Sequence, residues 1–202
     1  VTINGTRLLA RIAELAQIGA IEGTQGCSRL AFTDSDREGR DLVVTWMTDL
    51  GLTVTVDAVG NVVASTGDAG AAGAVMAGSH IDTVGTGGRF DGNLGVLAGL
   101  EVIEATLAAN VDLKRPLAVA FFSNEEGSRY PPDMMGSLAY VGGMSVESVL
   151  EVEGADGTIV GEELERIGYR GAAPCPGAVP HAFVELHIEQ GPVLDNEAVQ
   201  IG

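Results

Sequence analysis

The chain has 202 residues, of which 46% are hydrophobic, and this is enough apolar material for one substantial domain with its own core. Its net charge of −17 predicts that it binds neither nucleic acid nor an anionic membrane, because an acidic surface is repelled by both. Cys27 and Cys175 have no disulfide or metal-binding spacing, and neither a signal-peptide core nor an apolar run of membrane length is present, so we expect a cytoplasmic protein.

The first third of the chain is predicted to form two helices and a hairpin. Apolar residues recur at helical spacing across residues 4–20. A second helix is expected from the capping candidates Thr33 and Asp34 to Gly51, a residue type that commonly follows a helix C-terminus. Two short alternating segments separated by a turn predict a β-hairpin over residues 53–66.

The rest of the chain alternates strands with helices. The predicted elements are a buried strand at 73–79, a helix at 94–110, a buried strand at 116–127, short helices at 136–143 and 161–168, and a strand of alternating polarity at 181–191. This order predicts an α/β fold with a mixed sheet flanked by helices.

Polar residues gather at the ends of three predicted strands. The segments are "SHIDT" at 79–83, "SNEEGS" at 123–128 and "LHIEQG" at 186–191. Because open α/β sheets bind their ligands beyond the carboxyl ends of the strands, we expect these segments to share one site.

Two of the histidines are each followed, two residues later, by a carboxylate: His80 by Asp82, and His187 by Glu189. Positions i and i+2 of a strand face the same side, so the carboxylate can accept the second ring N–H of a metal-binding histidine. For either pair taken alone, an ordinary hydrogen-bonded histidine of the core or the surface is the favoured explanation.

Three more acids stand near these pairs. Asp91 lies in "GGRFDGNLG" just before a predicted helix, where it is either an N-cap or a ligand that the glycines allow to approach an ion. Glu125 and Glu126 are adjacent at the mouth of a buried strand, where they are either solvated or offset by a positive group.

Together, the two histidines and three acids form a ligand set that suits zinc, manganese, cobalt or nickel. A carboxylate that bridges two ions about 3.5–4 Å apart is a known hydrolytic arrangement, in which a bound water has a pKa of about 7. One acid of the Glu125–Glu126 pair would then be the general base, and the other would bind metal.

Three motifs in this order, "GSHIDTVGTGGRFDGNLGVLAGLEVI", "FFSNEEGSRYPPDMMGS" and "FVELHIEQGPVLD", resemble the hydantoinase/carbamoylase family of dinuclear-metal amidohydrolases. That family includes N-carbamoyl-L-amino acid hydrolases, β-ureidopropionases and allantoate amidohydrolases. The short gap from His80 to Asp91 is similar to that of the carbamoylases, whereas aminoacylase relatives have a longer one. The resemblance implies a zinc-exopeptidase-like catalytic domain and a small-molecule substrate.

The resemblance also implies two divalent metal ions and the residues that hold them. One ion would be held by His80, Asp91 and His187, and the second by Asp91 and Glu126. Glu125 would be the general base that activates a metal-bridging hydroxide.

Three further roles follow from the same resemblance. Asp82 would orient His80, and Gln190 would contact the substrate. The peptide bond between Asp91 and Gly92 would be cis.

The family's full-length members are much longer and act as homodimers, so residues 1–202 are expected to be the N-terminal part of the catalytic domain. The lid or dimerisation domain would be absent from this part, and the second metal site would lack its remaining histidine. The expected reaction is hydrolysis of a carbamoyl or ureido C–N bond. The alternatives are a dipeptidase or aminoacylase of the same clan, and an inactive metal-binding fragment of such an enzyme.

Overall fold

The computed structural model describes residues 1–67 and 72–202. Within these ranges the helices are α1 (Gly5–Leu15), α2 (Asp34–Asp49), α3 (Asn93–Ala108), α4 (Met135–Tyr140), α5 (Val146–Leu150), α6 (Val160–Ile167) and α7 (Val193–Asn196). The strands are β1 (Thr53–Val56), β2 (Val62–Ser65), β3 (Val75–His80), β4 (Leu117–Phe122) and β5 (Ala182–Val184). None of the described helices combines the length and the apolar character that a membrane crossing requires.

The five strands form one mixed sheet in the order β1-β2-β4-β3-β5. β1 pairs with β2, and β2 with β4, in antiparallel fashion, whereas β3 runs parallel to both β4 and β5. The predicted α/β fold with a mixed sheet and flanking helices is therefore confirmed. Because β3 and β4 are parallel and in register, their carboxyl ends, at His80 and Phe122, lie side by side.

Local sequence signals account for the N-terminal helices and the hairpin. The Thr33 hydroxyl accepts the main-chain N–H of Asp36 and so caps α2, as the sequence predicts. Gly51, just after that helix, has the positive φ of 74° that glycine adopts without a steric cost. β1 and β2 pair from Thr53↔Ser65 to Val56↔Val62, which confirms the hairpin.

Small residues let α3 pack closely on β3 and β4. A β-carbon added to Gly99 would lie 2.9 Å from the Cβ atom of Ala77 and 3.1 Å from Cγ2 of Val119. Leu97 and Leu100, on the same helix, are fully buried in the main apolar core. The same close packing continues to the start of α3 and the end of β3, where a β-carbon on Gly95 would lie 2.9 Å from Cβ of Ser79 beside the candidate site.

The last strand is shorter than the sequence predicts. Its pairing with β3 ends at Ala77↔Val184, although the alternating pattern continues to Gly191. The main chain then passes against the first turn of α3, where a β-carbon on Gly95 would lie only 2.6 Å from the Leu186 carbonyl oxygen. That contact takes the place of further pairing with β3, so His187 lies in a loop rather than on a strand.

Candidate metal centre

His80 is the last residue of β3, and its side chain is 1% exposed. Its Nδ1 atom lies 2.9 Å from the main-chain carbonyl oxygen of Asp82, which leaves Nε2 facing the site. Burial lowers the pKa of His80, but the negative charges of Asp82 and Glu125 outweigh it and raise the pKa above its usual value.

Asp82 contacts His80 by a different route from the one implied above. Its carboxylate lies 3.9 Å from the histidine Nδ1, so the carbonyl group, not the carboxylate, makes the close contact. The two carboxylate oxygens instead accept the main-chain N–H groups of Glu125 and Glu126, at 3.2 and 3.3 Å. Burial raises the pKa of Asp82 to about 6. Asp82 thus links the end of β3 to the segment that carries the two glutamates.

Asp91 and Gly92 form a tight turn before α3. The Asn93 N–H donates to the Asp91 carbonyl oxygen at 2.6 Å, and Gly92 has a φ of 63°. A β-carbon at Gly92 would lie 2.5 Å from Nε2 of His80, so this turn presses directly against the histidine ring. The expected cis bond is not found, since both cis bonds among the described residues precede proline. The positive φ of Gly92 makes the turn instead.

His187 reaches the same place from the loop that follows β5. Its Nε2 atom lies 3.3 Å from Oδ1 of Asp91, and its ring centroid lies 5.8 Å from that of His80. The Nδ1 atom of His187 contacts the carbonyl oxygen of its neighbour Ile188 at 2.8 Å. Unlike His80, its side chain is 37% exposed.

One nitrogen or oxygen atom from each of His80, Asp91 and His187 lies within 4.8 Å of the others, and this His80–Asp91–His187 trio is a group that can hold a metal ion. Two imidazole nitrogens and a carboxylate oxygen are donors that Zn²⁺, Mn²⁺ and Co²⁺ accept. Both Nδ1 atoms already contact main-chain carbonyl oxygens, so both Nε2 atoms are left for an ion.

The two glutamates lie beside the trio but outside it. Oε2 of Glu125 is 3.3 Å from Nε2 of His80. Oε1 of Glu126 is buried and has no hydrogen-bond partner within the described part of the chain. Burial raises the pKa of Glu126, and the negative charges of Asp91 and Asp82 raise it further. A buried carboxylate oxygen without a partner, among other acids, fits a site completed by a cation.

Two residues of "LHIEQG" do not join this cluster. The Glu189 carboxylate accepts the N–H groups of Val193 and Leu194 at the start of α7, at 2.9 and 3.0 Å, so it caps a helix turn rather than orienting His187. Gln190 is exposed, with a φ of 51°, and its side chain makes no hydrogen bond to another described residue.

A cavity of about 430 Å³ opens beside the trio and includes residues that the sequence analysis did not single out. Its lining comprises Ser79, Phe122, Glu125, Met134, Ser137, Phe183, Glu185 and His187. Three of these side chains alternate along the last predicted strand, at positions 183, 185 and 187, and that two-residue period was a signal from which they could have been found.

The same fold and sequence occur in known proteins. The model of peptidase family M20/M25/M40 matches residues 76–202. The N-carbamoyl-L-amino-acid amidohydrolases of Rhizobium meliloti and Geobacillus stearothermophilus are 39% and 40% identical to this chain over 99% of its length, and over 48% and 50% of theirs. A hydantoinase/carbamoylase family amidase from Burkholderia vietnamiensis is 47% identical with a TM-score of 0.92, over 97% of this chain and 48% of that one.

The mixed sheet and the His/carboxylate cluster at its carboxyl edge define a zinc-exopeptidase-like catalytic-domain fold with a candidate metal centre. The chain belongs to peptidase family M20/M25/M40, and within that family it is similar to the hydantoinase/carbamoylase amidohydrolases that the sequence motifs resemble. It spans about half the length of the curated relatives that it matches.

Proposed function

We propose that residues 1–202 are the N-terminal part of the catalytic domain of a metal-dependent amidohydrolase. Its reaction is hydrolysis of the carbamoyl or ureido C–N bond of a small molecule, either an N-carbamoyl amino acid or allantoate. The observation that carries the proposal is the position of Glu125, whose carboxylate lies 3.3 Å from His80 beside the trio without belonging to it. The likeness to N-carbamoyl-L-amino-acid amidohydrolases supports this choice of substrate class.

The proposed ligands divide between two divalent ions. The His80–Asp91–His187 trio would hold one, and Asp91 would share the second with Glu126, whose buried Oε1 atom has no other partner. The second ion would be short of ligands within residues 1–202. When bound, such ions polarise a carbonyl oxygen and make water acidic enough to be deprotonated near neutral pH.

Glu125 acts as the general base in this proposal. Its carboxylate accepts a proton from the attacking water, whose oxygen forms a bond to the carbonyl carbon. The C–N bond to the amino acid then breaks, and Glu125 returns the proton to the departing nitrogen. An N-carbamoyl amino acid gives the free amino acid and carbamate, and allantoate gives a ureido acid and carbamate. Carbamate decomposes to ammonia and carbon dioxide, so one water is consumed and no redox step occurs.

Asp82 positions the general base and the buried histidine without contacting the substrate itself. It binds the N–H groups of both glutamates through its carboxylate and contacts His80 through its carbonyl oxygen. It therefore holds the general base at a fixed distance from the metal trio. Contact of Gln190 with the substrate and a homodimeric assembly complete the proposal, and both rest on the family resemblance. The proposed cytoplasmic location rests on the sequence patterns described above.

The proposal is tested with the complete gene product, purified, stripped of metal by a chelator and reloaded with Mn²⁺, Co²⁺ or Zn²⁺. Ammonia release is measured on N-carbamoyl-L-amino acids and allantoate, and amine release on dipeptides and N-acetyl amino acids. Metal-dependent ammonia release is the expected result. Turnover of only the dipeptides or N-acetyl amino acids would favour the aminoacylase alternative, and stable metal binding without any turnover would favour a metal-binding fragment.

A further inference from the structure

Arg29 is a fully buried arginine that has no carboxylate partner within the described residues. Its guanidinium donates only to neutral oxygens. Nε and Nη2 donate to the Ile81 carbonyl at 3.2 Å each, and Nη1 donates to the carbonyls of Leu15 and Ile18 at 3.1 Å each. Nη2 also donates to Oδ1 of Asn93 at 3.0 Å.

This arrangement is costly, because a buried cation normally requires a negative partner. Arg40 shows the usual arrangement, because it is equally buried but pairs with the buried carboxylate of Asp36 at 2.8 Å. A buried, unpaired guanidinium calls for an explanation in what its fork of donors holds together.

Two of the acceptors of Arg29, Ile81 and Asn93, adjoin the two arms of the candidate metal centre, whereas Leu15 and Ile18 lie at the end of α1 and just after it. Ile81 lies between His80 and Asp82, at the end of β3. Asn93 is the first residue of α3, two positions after Asp91. Arg29 is therefore the direct side-chain link between the strand that carries the buried histidine and the turn that carries the shared carboxylate.

The main chain of Arg29 strengthens the attachment to the strand end. Its N–H donates to the Thr83 hydroxyl at 2.8 Å, and its carbonyl accepts the Thr83 N–H at 2.9 Å. The two segments thus run alongside each other next to Asp82.

Neighbouring helices leave room for the guanidinium. Gly39 lies inside α2, where glycine costs about 1 kcal/mol relative to alanine. A β-carbon at this position would lie 3.1 Å from Cδ and 3.3 Å from Nε of Arg29. The glycine is accounted for by the space that Arg29 needs.

We propose that Arg29 is a positioning residue of the metal centre: its fork fixes the distance between His80 on β3 and Asp91 before α3. The inference rests on the proposed function, because it assumes that these two residues bind metal. The role belongs to the planar fork and not to the positive charge, since every acceptor is neutral.

The test measures Co²⁺ binding through the visible absorption of the bound ion, with unfolding curves recorded for every variant. Arg29→Met removes the fork, and Arg29→Lys keeps the charge but not the fork. Both are expected to raise the Co²⁺ dissociation constant by about 10-fold or more, as the loss of outer-shell partners does. Met47→Ala is the control for a general loss of stability, because Met47, on α2, is buried in the apolar core and makes none of the hydrogen bonds of Arg29.

Asn93→Ala removes the acceptor that Arg29 uses on the Asp91 arm, together with the longer bond of 3.3 Å from Nδ2 of Asn93 to the Arg89 carbonyl oxygen, and it serves if the Arg29 variants do not fold. It is expected to weaken Co²⁺ binding by several-fold. Combined with Arg29→Lys, it should add less than its separate effect, because both changes break the same contact.

Three outcomes would overturn the inference. They are wild-type affinity in Arg29→Lys, a loss of affinity in Met47→Ala that matches the loss in the Arg29 variants, and fully additive effects in the double variant. If the wild-type protein itself binds no Co²⁺, the proposed function fails first. If the wild type and the Arg29 variants bind equally well, only the positioning role fails.

Discussion

Nε2 of His187 lies 3.3 Å from Oδ1 of Asp91, and Nε2 of His80 lies 3.8 Å from the same oxygen atom. One carboxylate oxygen thus faces two imidazoles from distant parts of the chain. The two histidines reach Asp91 because β3 ends beside the turn into α3, and because the loop after β5 passes over that turn. The predictions below depend on this convergence.

Gly92→Ala should disrupt the approach of His80 and His187 to the Asp91 carboxylate. The new β-carbon would lie 2.5 Å from Nε2 of His80, and alanine would also be strained at a φ of 63°. We expect destabilisation by about 1–3 kcal/mol and loss of most Co²⁺ binding. Calorimetric titration with Co²⁺ and thermal unfolding measure the two effects.

Gly88→Ala is the matched control for that change. Gly88 lies in the same glycine-rich stretch, but a β-carbon there would have no neighbour within 4 Å. Normal metal binding is expected in Gly88→Ala. Equal losses in both variants would show that the contact between Gly92 and His80 is not the cause.

Glu125→Gln should separate catalysis from metal binding. The amide cannot accept the proton from water, so turnover should fall by about 10²–10⁴-fold. Co²⁺ affinity should change little, because Glu125 lies outside the trio. Steady-state rates on an N-carbamoyl amino acid, together with a Co²⁺ titration, check this. Retention of full activity would remove Glu125 from its assigned role.

Glu126→Gln should stabilise the metal-free protein and weaken the second metal site. The buried Oε1 atom lacks a partner, and burial with neighbouring negative charge raises the pKa of the carboxyl group. Replacing the charge with an amide should therefore raise the free energy of unfolding at pH 7 by about 1 kcal/mol. Urea unfolding in the presence of a chelator measures it.

The exposed Glu38 of α2 provides the control for Glu126→Gln. Glu38→Gln removes the same charge without relieving burial, so it should leave stability nearly unchanged. In the full-length protein, where the second site would be complete, a metal count by native mass spectrometry should fall by one ion per chain in Glu126→Gln only. A metal-free Glu126→Gln protein less stable than the wild type would contradict the assignment.

Asp82→Asn should change how stability depends on pH. Burial raises the pKa of Asp82 to about 6, above its value in the unfolded chain, so the folded state holds the proton more tightly. The stabilisation is fully present below the unfolded pKa and is lost as the pH rises through about 6. The metal-free wild type should thus lose up to about 3 kcal/mol between pH 4 and pH 8 relative to Asp82→Asn. Parallel pH profiles of the two would contradict this.

The sequence predicts most of the sheet and the general location of the site. Buried apolar runs and their turns give β3, β4 and the hairpin, because such patterns depend on local periodicity and burial. The polar residues after β3 and β4 meet because the strands are parallel and in register. The closeness of His80 and Glu125 could therefore be predicted from the sequence motifs and the strand order.

Other features depend on tertiary contacts that no local pattern encodes. β5 stops at Val184 because the Leu186 carbonyl packs against Gly95 of α3. Glu189 caps α7, although its spacing from His187 is that of an orienting carboxylate. The role of Arg29 is not predictable from the sequence, because nothing in "CSRLAFT" indicates that its guanidinium donates to residues as distant as Ile81 and Asn93.

The central claim is that the His80–Asp91–His187 trio holds a divalent metal ion, and a crystal grown with Zn²⁺ tests it most directly. Diffraction data on either side of the zinc absorption edge identify the ion as zinc and locate it directly. The account predicts an anomalous peak about 2.0–2.1 Å from Nε2 of both histidines, with a carboxylate oxygen of Asp91 at a similar distance. A crystal saturated with zinc that shows no peak between these three side chains would contradict it.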